Sequence, residues 1–184
     1  MISIRPASST DDLAIITGLF QAYSTSLGID LSYQDFESEL AGLPGKYAPP
    51  AGALLLARDE SNRPLGCVAL RSLSIEGVCE MKRLYVAPEG RGRGIGKALM
   101  LAVIGEASKK GYREMRLDTL PAMATAQAIY RAAGFEPNGS LRCNPRCGNG
   151  VLAVAPTETP GVSFQTQQSD GKPRSHPLNL ASGR

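Results

Sequence analysis

The stretch Arg91-Gly92-Arg93-Gly94-Ile95-Gly96-Lys97 packs three cations and three glycines into seven residues. It follows the apolar run Leu84-Tyr85-Val86 and opens a helical pattern. Glycines let successive backbone N–H groups converge and let a ligand approach the main chain closely. A helix start adds about half a positive charge, and the side chains of Arg91, Arg93 and Lys97 add full ones. This is the chemistry of phosphate or pyrophosphate binding. The ATP-loop pattern G-x-x-x-x-G-K-[ST] fails, because Arg91 occupies the first glycine position and Ala98 follows Lys97. The dinucleotide pattern G-x-G-x-x-G fails too, because Lys97 stands at its third glycine. The stretch reads instead as R-x-x-G-x-G, Arg91 to Gly96. A tight strand–helix turn on a basic surface is the alternative, and the spacing alone leaves it open.

Other chemistries are excluded by composition. A single histidine, His176, argues against zinc enzymes, Ser-His-Asp hydrolases and two-histidine metal sites. Lys+Arg number 20 against 17 Asp+Glu, too small an excess for a non-specific polyanion binder. No apolar run approaches the roughly 20 residues of a membrane helix. The start lacks the basic head and apolar stretch of a signal peptide, so a cytoplasmic location is expected. Cys67, Cys79, Cys143 and Cys147 then read as free thiols, and no metal is expected.

The chain has 184 residues, enough for one self-sufficient core. Ile2–Arg5 alternates as a strand, and Ser9-Thr10-Asp11-Asp12 caps a helix through about Leu27. A shorter helix is expected near residues 33–43. Three strands follow, at Ala53–Ala57, Leu65–Leu73 and Val78–Val86. Ile95–Lys110 is a helix with Leu99, Ala102, Val103 and Ala107 on its apolar face. Then come a strand at Arg113–Asp118, a helix at Ala122–Ala133 and a weaker strand at Val151–Val154. From Pro156 onward Pro, Gly, Ser, Thr and Gln dominate. Residues 156–184 are therefore expected to form a disordered polar tail behind a single domain over residues 1–155. Hairpins beside two βα units imply a mixed sheet with helices on both faces.

Three further patterns accompany the loop. Leu84-Tyr85-Val86 precedes it, Ala126 to Phe135 spells A-x-x-x-Y-x-x-x-G-F around Tyr130, and Ile4-Arg5-Pro6-Ala7 precedes a capped helix. Together, in this order, they resemble the GNAT acetyltransferase superfamily over about residues 2–135. The segments 79–96 and 116–123 are similar to an uncharacterised bacterial-type subgroup. The resemblance implies an α/β (α+β) fold with a mixed, mostly antiparallel sheet splayed in its middle. It implies acetyl-CoA as cosubstrate, its pyrophosphate on the main chain of Arg91, Gly92, Arg93, Gly94, Ile95, Gly96 and Lys97. Its pantetheine would pair like an added strand with the main chain at Leu84, Tyr85 and Val86. Met123 departs from the pattern, since many members carry a pantetheine-contacting Asn there. The segment after Phe135 also lacks the aromatics usual in the subgroup.

The implied reaction is N-acetyltransfer from acetyl-CoA to a primary amine, by direct attack in a ternary complex. Such a reaction needs a proton acceptor for the amine and a donor for the departing thiolate. Glu80, six residues before Val86, stands where several members place a catalytic glutamate. Its bland alternative is an ion pair with Lys82, Arg83 or a neighbouring strand. Tyr130 is the donor candidate, against a purely packing role. Alternation puts Lys82 on the Glu80 side of the strand and Arg83 on the other. Asp118 and Thr119 end the next strand beside the cleft, where capping competes with a role in binding. The expected partner is a small-molecule or peptide amine, with a homodimer compatible and neither nucleic acid nor membrane expected. A non-catalytic acetyl-CoA-binding module is the competing function.

Overall fold

The computed structural model describes residues 1–27, 35–120, 123–137 and 151–156. Of the expected tail only Pro156 is described, as the last residue of a strand; residues 157–184, Cys143 and Cys147 lie outside the described residues, His176 among them. Seven strands form one sheet in the order β1-β2-β3-β4-β5-β7-β6. They are β1 (Ser3–Pro6), β2 (Ala53–Arg58), β3 (Pro64–Ser72), β4 (Val78–Val86), β5 (Glu114–Thr119), β6 (Glu136–Pro137) and β7 (Val151–Pro156). Every neighbouring pair is antiparallel except β4 and β5, which are parallel. The mixed, mostly antiparallel sheet is the one expected. The two-residue β6 is too short to have left a pattern in the sequence.

Among the described residues four α-helices cover the two faces: α1 (Thr10–Leu27), α2 (Phe36–Ala41), α3 (Ile95–Lys109) and α4 (Ala124–Ala132). Residues of α3 and α4 pack with Val68, Leu70, Cys79, Met81, Met115 and Leu117 on one face of the sheet. Residues of α1 and α2 pack with Leu54, Leu56, Cys67, Ala69 and Tyr85 on the other. Cys67 and Cys79 therefore face opposite ways, and both are buried thiols. The start of α1 is a capping box. Ser9 Oγ accepts from Asp12 N–H at 3.0 Å, and Asp12 Oδ2 accepts from Ser9 N–H at 3.3 Å. Asp12 also binds Arg58 of β2 at 2.7 Å, which ties the helix to the sheet. No helix among the described residues is long and apolar enough to cross a membrane.

Two irregularities in β4 shape the middle of the sheet. First, its pairing with β5 stops early: Val78, Cys79 and Glu80 face Glu114, Met115 and Arg116, and the ladder goes no further. The rest of β4, through Val86, parts from β5. Second, the register against β3 slips. Cys67 faces Tyr85 but Ala69 faces Lys82, so Arg83 and Leu84 together oppose Val68. This is a β-bulge, which bends the strand and increases its twist. Arg83 carries it with φ 57°, a left-handed conformation that costs a non-glycine residue roughly 1–3 kcal/mol.

The bulge overturns the alternation expected from the sequence. Arg83 does not point away from Lys82; it turns to the same face, toward α1 and α2. Its Nε and Nη2 donate to Glu39 of α2 at 2.8 and 3.2 Å. Both side chains are about 2% exposed, so this is a buried ion pair. The guanidinium also lies 5.0 Å from the Phe36 ring centre and 6.0 Å from that of Tyr23. Lys46 and the Tyr47 hydroxyl complete the carboxylate's partners, at 2.5 and 2.9 Å. Burial alone would raise the Glu39 carboxyl. Arg83, Lys46 and Tyr47 outweigh it and hold the group at about 2.

A depressed carboxyl contributes stability above its unfolded value, and loses it as pH falls through the folded one. The relevant window runs from the ordinary 4.5 down to about 2. Glu39→Gln should destabilise the fold by about 3–5 kcal/mol at neutral pH, because it strands the buried Arg83 charge. In urea unfolding, the gap to the parent protein should shrink as pH drops from 4.5 toward 2; a gap constant over that range would show that the ion pair is not its source.

Candidate active site

The glycine loop falls where the parted edge of β4 ends. After a short 3-10 turn at Pro88–Gly90 the chain runs extended through Arg91. Gly92 and Gly94 then take φ of 73° and 74°, where any side chain would be strained. Gly94 is the N-cap of α3 and offers no side chain to the helix's first N–H groups. Those amides and the side chains of Arg93 and Lys97 lie at an exposed surface. Among the described residues neither cation is in an ion pair. Arg91 behaves differently: it folds back, and its Nε donates to the Val86 carbonyl at 3.3 Å. One of the main-chain groups expected to serve a ligand therefore already has a partner within the chain.

Glu80 is the last residue of β4 paired with β5, and it is 5% exposed. Its register partner on β3 is Arg71, whose Nε donates to Oε2 at 2.5 Å. Lys82 Nζ approaches the other oxygen at 3.5 Å. The neighbouring-strand ion pair weighed as the bland alternative is thus present, and a cation contacts each carboxylate oxygen. Arg71 has no family motif around it. Its signal was a cation inside an otherwise apolar strand, but naming its partner requires the hairpin register.

Asp118 sits two residues beyond the end of the β4–β5 ladder, on the face that Arg116 and Glu80 share. Its side chain is accessible and makes no hydrogen bond among the described residues. Crowding by protein atoms raises its carboxyl above the ordinary carboxylate range; Glu80 adds to the rise, while Lys82 and Arg71 oppose it. Burial lowers the Lys82 ammonium, and Glu80 and Asp118 partly restore it. Arg71 and Lys82 thus contact Glu80, and the charges of all three act on Asp118. Thr119, next along β5, is 5% exposed and faces the other way. Its Oγ1 is buried and has no hydrogen-bond partner among the described residues.

Tyr130 of α4 is 7% exposed. Its ring packs against Phe135 at 5.8 Å, and burial raises its phenol, with Tyr23 contributing. No hydrogen bond joins Tyr130 to Glu80. Tyr23 of α1 stacks edge-on against Tyr85 at 6.2 Å. Burial raises its phenol, Arg83 lowers it and Asp118 raises it again. Met123 occupies the N-cap of α4 and provides no side-chain hydrogen bond there.

The chemistry present suits a pyrophosphate: uncapped amides and cations at Gly92–Lys97, with an unpaired strand edge ahead of them. Comparison with known proteins follows the same residues. The Acetyltransferase (GNAT) family profile matches residues 17–135, from α1 through Phe135. An uncharacterised N-acetyltransferase of Schizosaccharomyces pombe is 42% identical over 144 residues, covering 78% of this chain and 88% of that protein. An aminoglycoside N(6')-acetyltransferase of Klebsiella aerogenes is 30% identical over 76% of this chain and 93% of its own. The crystal structure of Vibrio cholerae spermidine N-acetyltransferase, in complex with CoA and spermine, superposes with a TM-score of 0.65. It is 17% identical, covering 86% of this chain and 96% of that one. Fold, loop and relatives converge, and this chain belongs to the GNAT acetyltransferase family.

Proposed function

We propose that this protein transfers the acetyl group of acetyl-CoA to a primary amine on a small molecule, by direct attack within a ternary complex. The observation that carries the reading is the early end of the β4–β5 ladder directly ahead of the glycine loop. A strand edge with spare main-chain groups then leads from an anion cradle into a cleft that holds ionisable side chains. In this reading the amides of Gly92–Lys97 hold the pyrophosphate, assisted by Arg91, Arg93 and Lys97. Leu84, Tyr85 and Val86 present their main chain to the pantetheine arm, and Arg91 exchanges its bond to the Val86 carbonyl for phosphate oxygens. Relatives that act on aminoglycosides or bind spermine support a polyamine-sized acceptor rather than a protein surface.

Acetyl-CoA supplies an activated acyl group on a sulfur leaving group. The chain must manage two protons. An alkylamine with pKa about 10.4 is almost wholly protonated at pH 7, and its neutral form costs roughly 4.6 kcal/mol. A carboxylate near the acetyl group would take the proton released on attack. Glu80 is the candidate read from the sequence. With a cation on each of its oxygens, it would work through an intervening water. Tyr130 is the donor to the departing sulfur. Its phenol, raised by burial, stays protonated at rest and gives up its proton only as thiolate charge develops.

The decisive experiment is thiol release from acetyl-CoA by the purified protein across a library of polyamines, aminoglycosides and amino acids, alongside calorimetric titration with acetyl-CoA. Saturable binding and acceptor-dependent release are expected; absence of binding sinks the reading. Gly94→Ala should weaken acetyl-CoA binding about tenfold, since a left-handed alanine costs roughly 1–2 kcal/mol. Tyr130→Phe should lower kcat at least tenfold and leave the KM for acetyl-CoA unchanged. A loss below threefold would remove Tyr130 from the chemistry.

A further inference from the structure

Resting on the acetyl-transfer reading, we propose that Asp118 is the residue that takes the proton directly from the attacking amine. Glu80 is then a positioning residue that holds Arg71 and Lys82 around it. Three observations separate the two carboxylates. Glu80 is 5% exposed, with its oxygens approached by Arg71 at 2.5 Å and Lys82 at 3.5 Å. Asp118 is accessible and has no hydrogen-bond partner among the described residues. The strands also place them differently. Glu80 lies inside the last paired rung, whereas Asp118 lies two residues past it, where β4 and β5 have separated. A molecule entering the parting meets Asp118 before Glu80.

The charged and titratable groups whose fields reach Asp118 are Glu80 and Lys82 from β4, Arg71 from β3 and Tyr23 from α1. On its own strand, Arg116 and Glu114 share the face and bind each other at 2.6 Å. Its register partner on β7 is Leu152, which does not titrate. Crowding and the Glu80 charge raise the Asp118 carboxyl, which moves it toward the range where a base is useful at neutral pH.

The protons and bonds balance as follows. The neutral amine nitrogen forms the new C–N bond while the C–S bond breaks. The extra proton on nitrogen passes to the Asp118 carboxylate, and the sulfur takes the Tyr130 hydroxyl proton. Asp118 then returns one proton to Tyr130 through solvent, and both are reset.

The test measures CoA release against pH for the full chain, with saturating acetyl-CoA and spermidine, kanamycin and alanine amide as amine probes. Acetyl-CoA affinity is measured on every variant. Asp118→Asn should lose at least 100-fold in kcat and lose the acidic limb of the profile, with acetyl-CoA affinity within twofold of the parent. Glu80→Gln should lose no more than about tenfold. It should keep the limb but shift it to lower pH, because a negative neighbour is gone and Arg71 is released. Should Asp118→Asn fail to fold, Asp118→Glu carries the test, and its limb should be displaced. An Asp118→Asn variant within fivefold of the parent overturns the assignment, as does an Asp118→Glu limb that stays in place or a limb abolished by Glu80→Gln. Failure of the underlying reading looks different: the parent protein itself then binds no acetyl-CoA or releases no CoA with any probe, and the Asp118 role falls with it.

Discussion

Two adjacent parallel strands that stop pairing halfway leave main-chain donors and acceptors without a ladder. Unpaired backbone polar groups are tolerated only where water, side chains or a ligand satisfy them. In this protein the parting of β4 from β5 after Glu80 is the constraint that organises everything nearby. The left-handed Arg83 bends β4 through its bulge. The ion pair with Glu39 holds that residue in a conformation it would otherwise avoid. The buried pair is poor evidence of net stability, because desolvating two charges offsets much of their attraction. Its structural effect is to fix a bend in one strand from a helix 44 residues earlier.

The chemistry follows from what the parting exposes. On one side the glycine loop offers backbone amides and full positive charges to an anion. On the other, Arg71 and Lys82 engage the buried Glu80, while Asp118 lies two residues past the last paired rung of β5. A carboxylate tethered by two cations and one with no tether, a short distance along the same cleft, are suited to different tasks.

The sequence displayed much of this. Val78–Val86 was read as a strand with the boundaries it has, and the start of α3 and the glycine loop fell where expected. Those features rest on local physics: apolar alternation, glycine at positive φ, and capping. The errors all involve residues whose behaviour is decided elsewhere. Arg83 was assigned to the wrong face because a period of two holds only until a bulge interrupts it. That bulge is secured by Glu39, a contact with no local signal. The partner of Glu80 was open between several basic residues until the β3–β4 register selected Arg71. A two-residue strand such as β6 exists only as an extension of β7, so no sequence window could contain it.

The sheet separates two apolar cores that share no residue. One lies under α3 and α4, the other under α1 and α2. A side chain replaced in the second core perturbs its immediate neighbours, while the packing that seats the glycine loop lies across a layer of hydrogen-bonded backbone. Such an arrangement lets residues beneath α1 and α2 change in size without shifting the seat of the glycine loop.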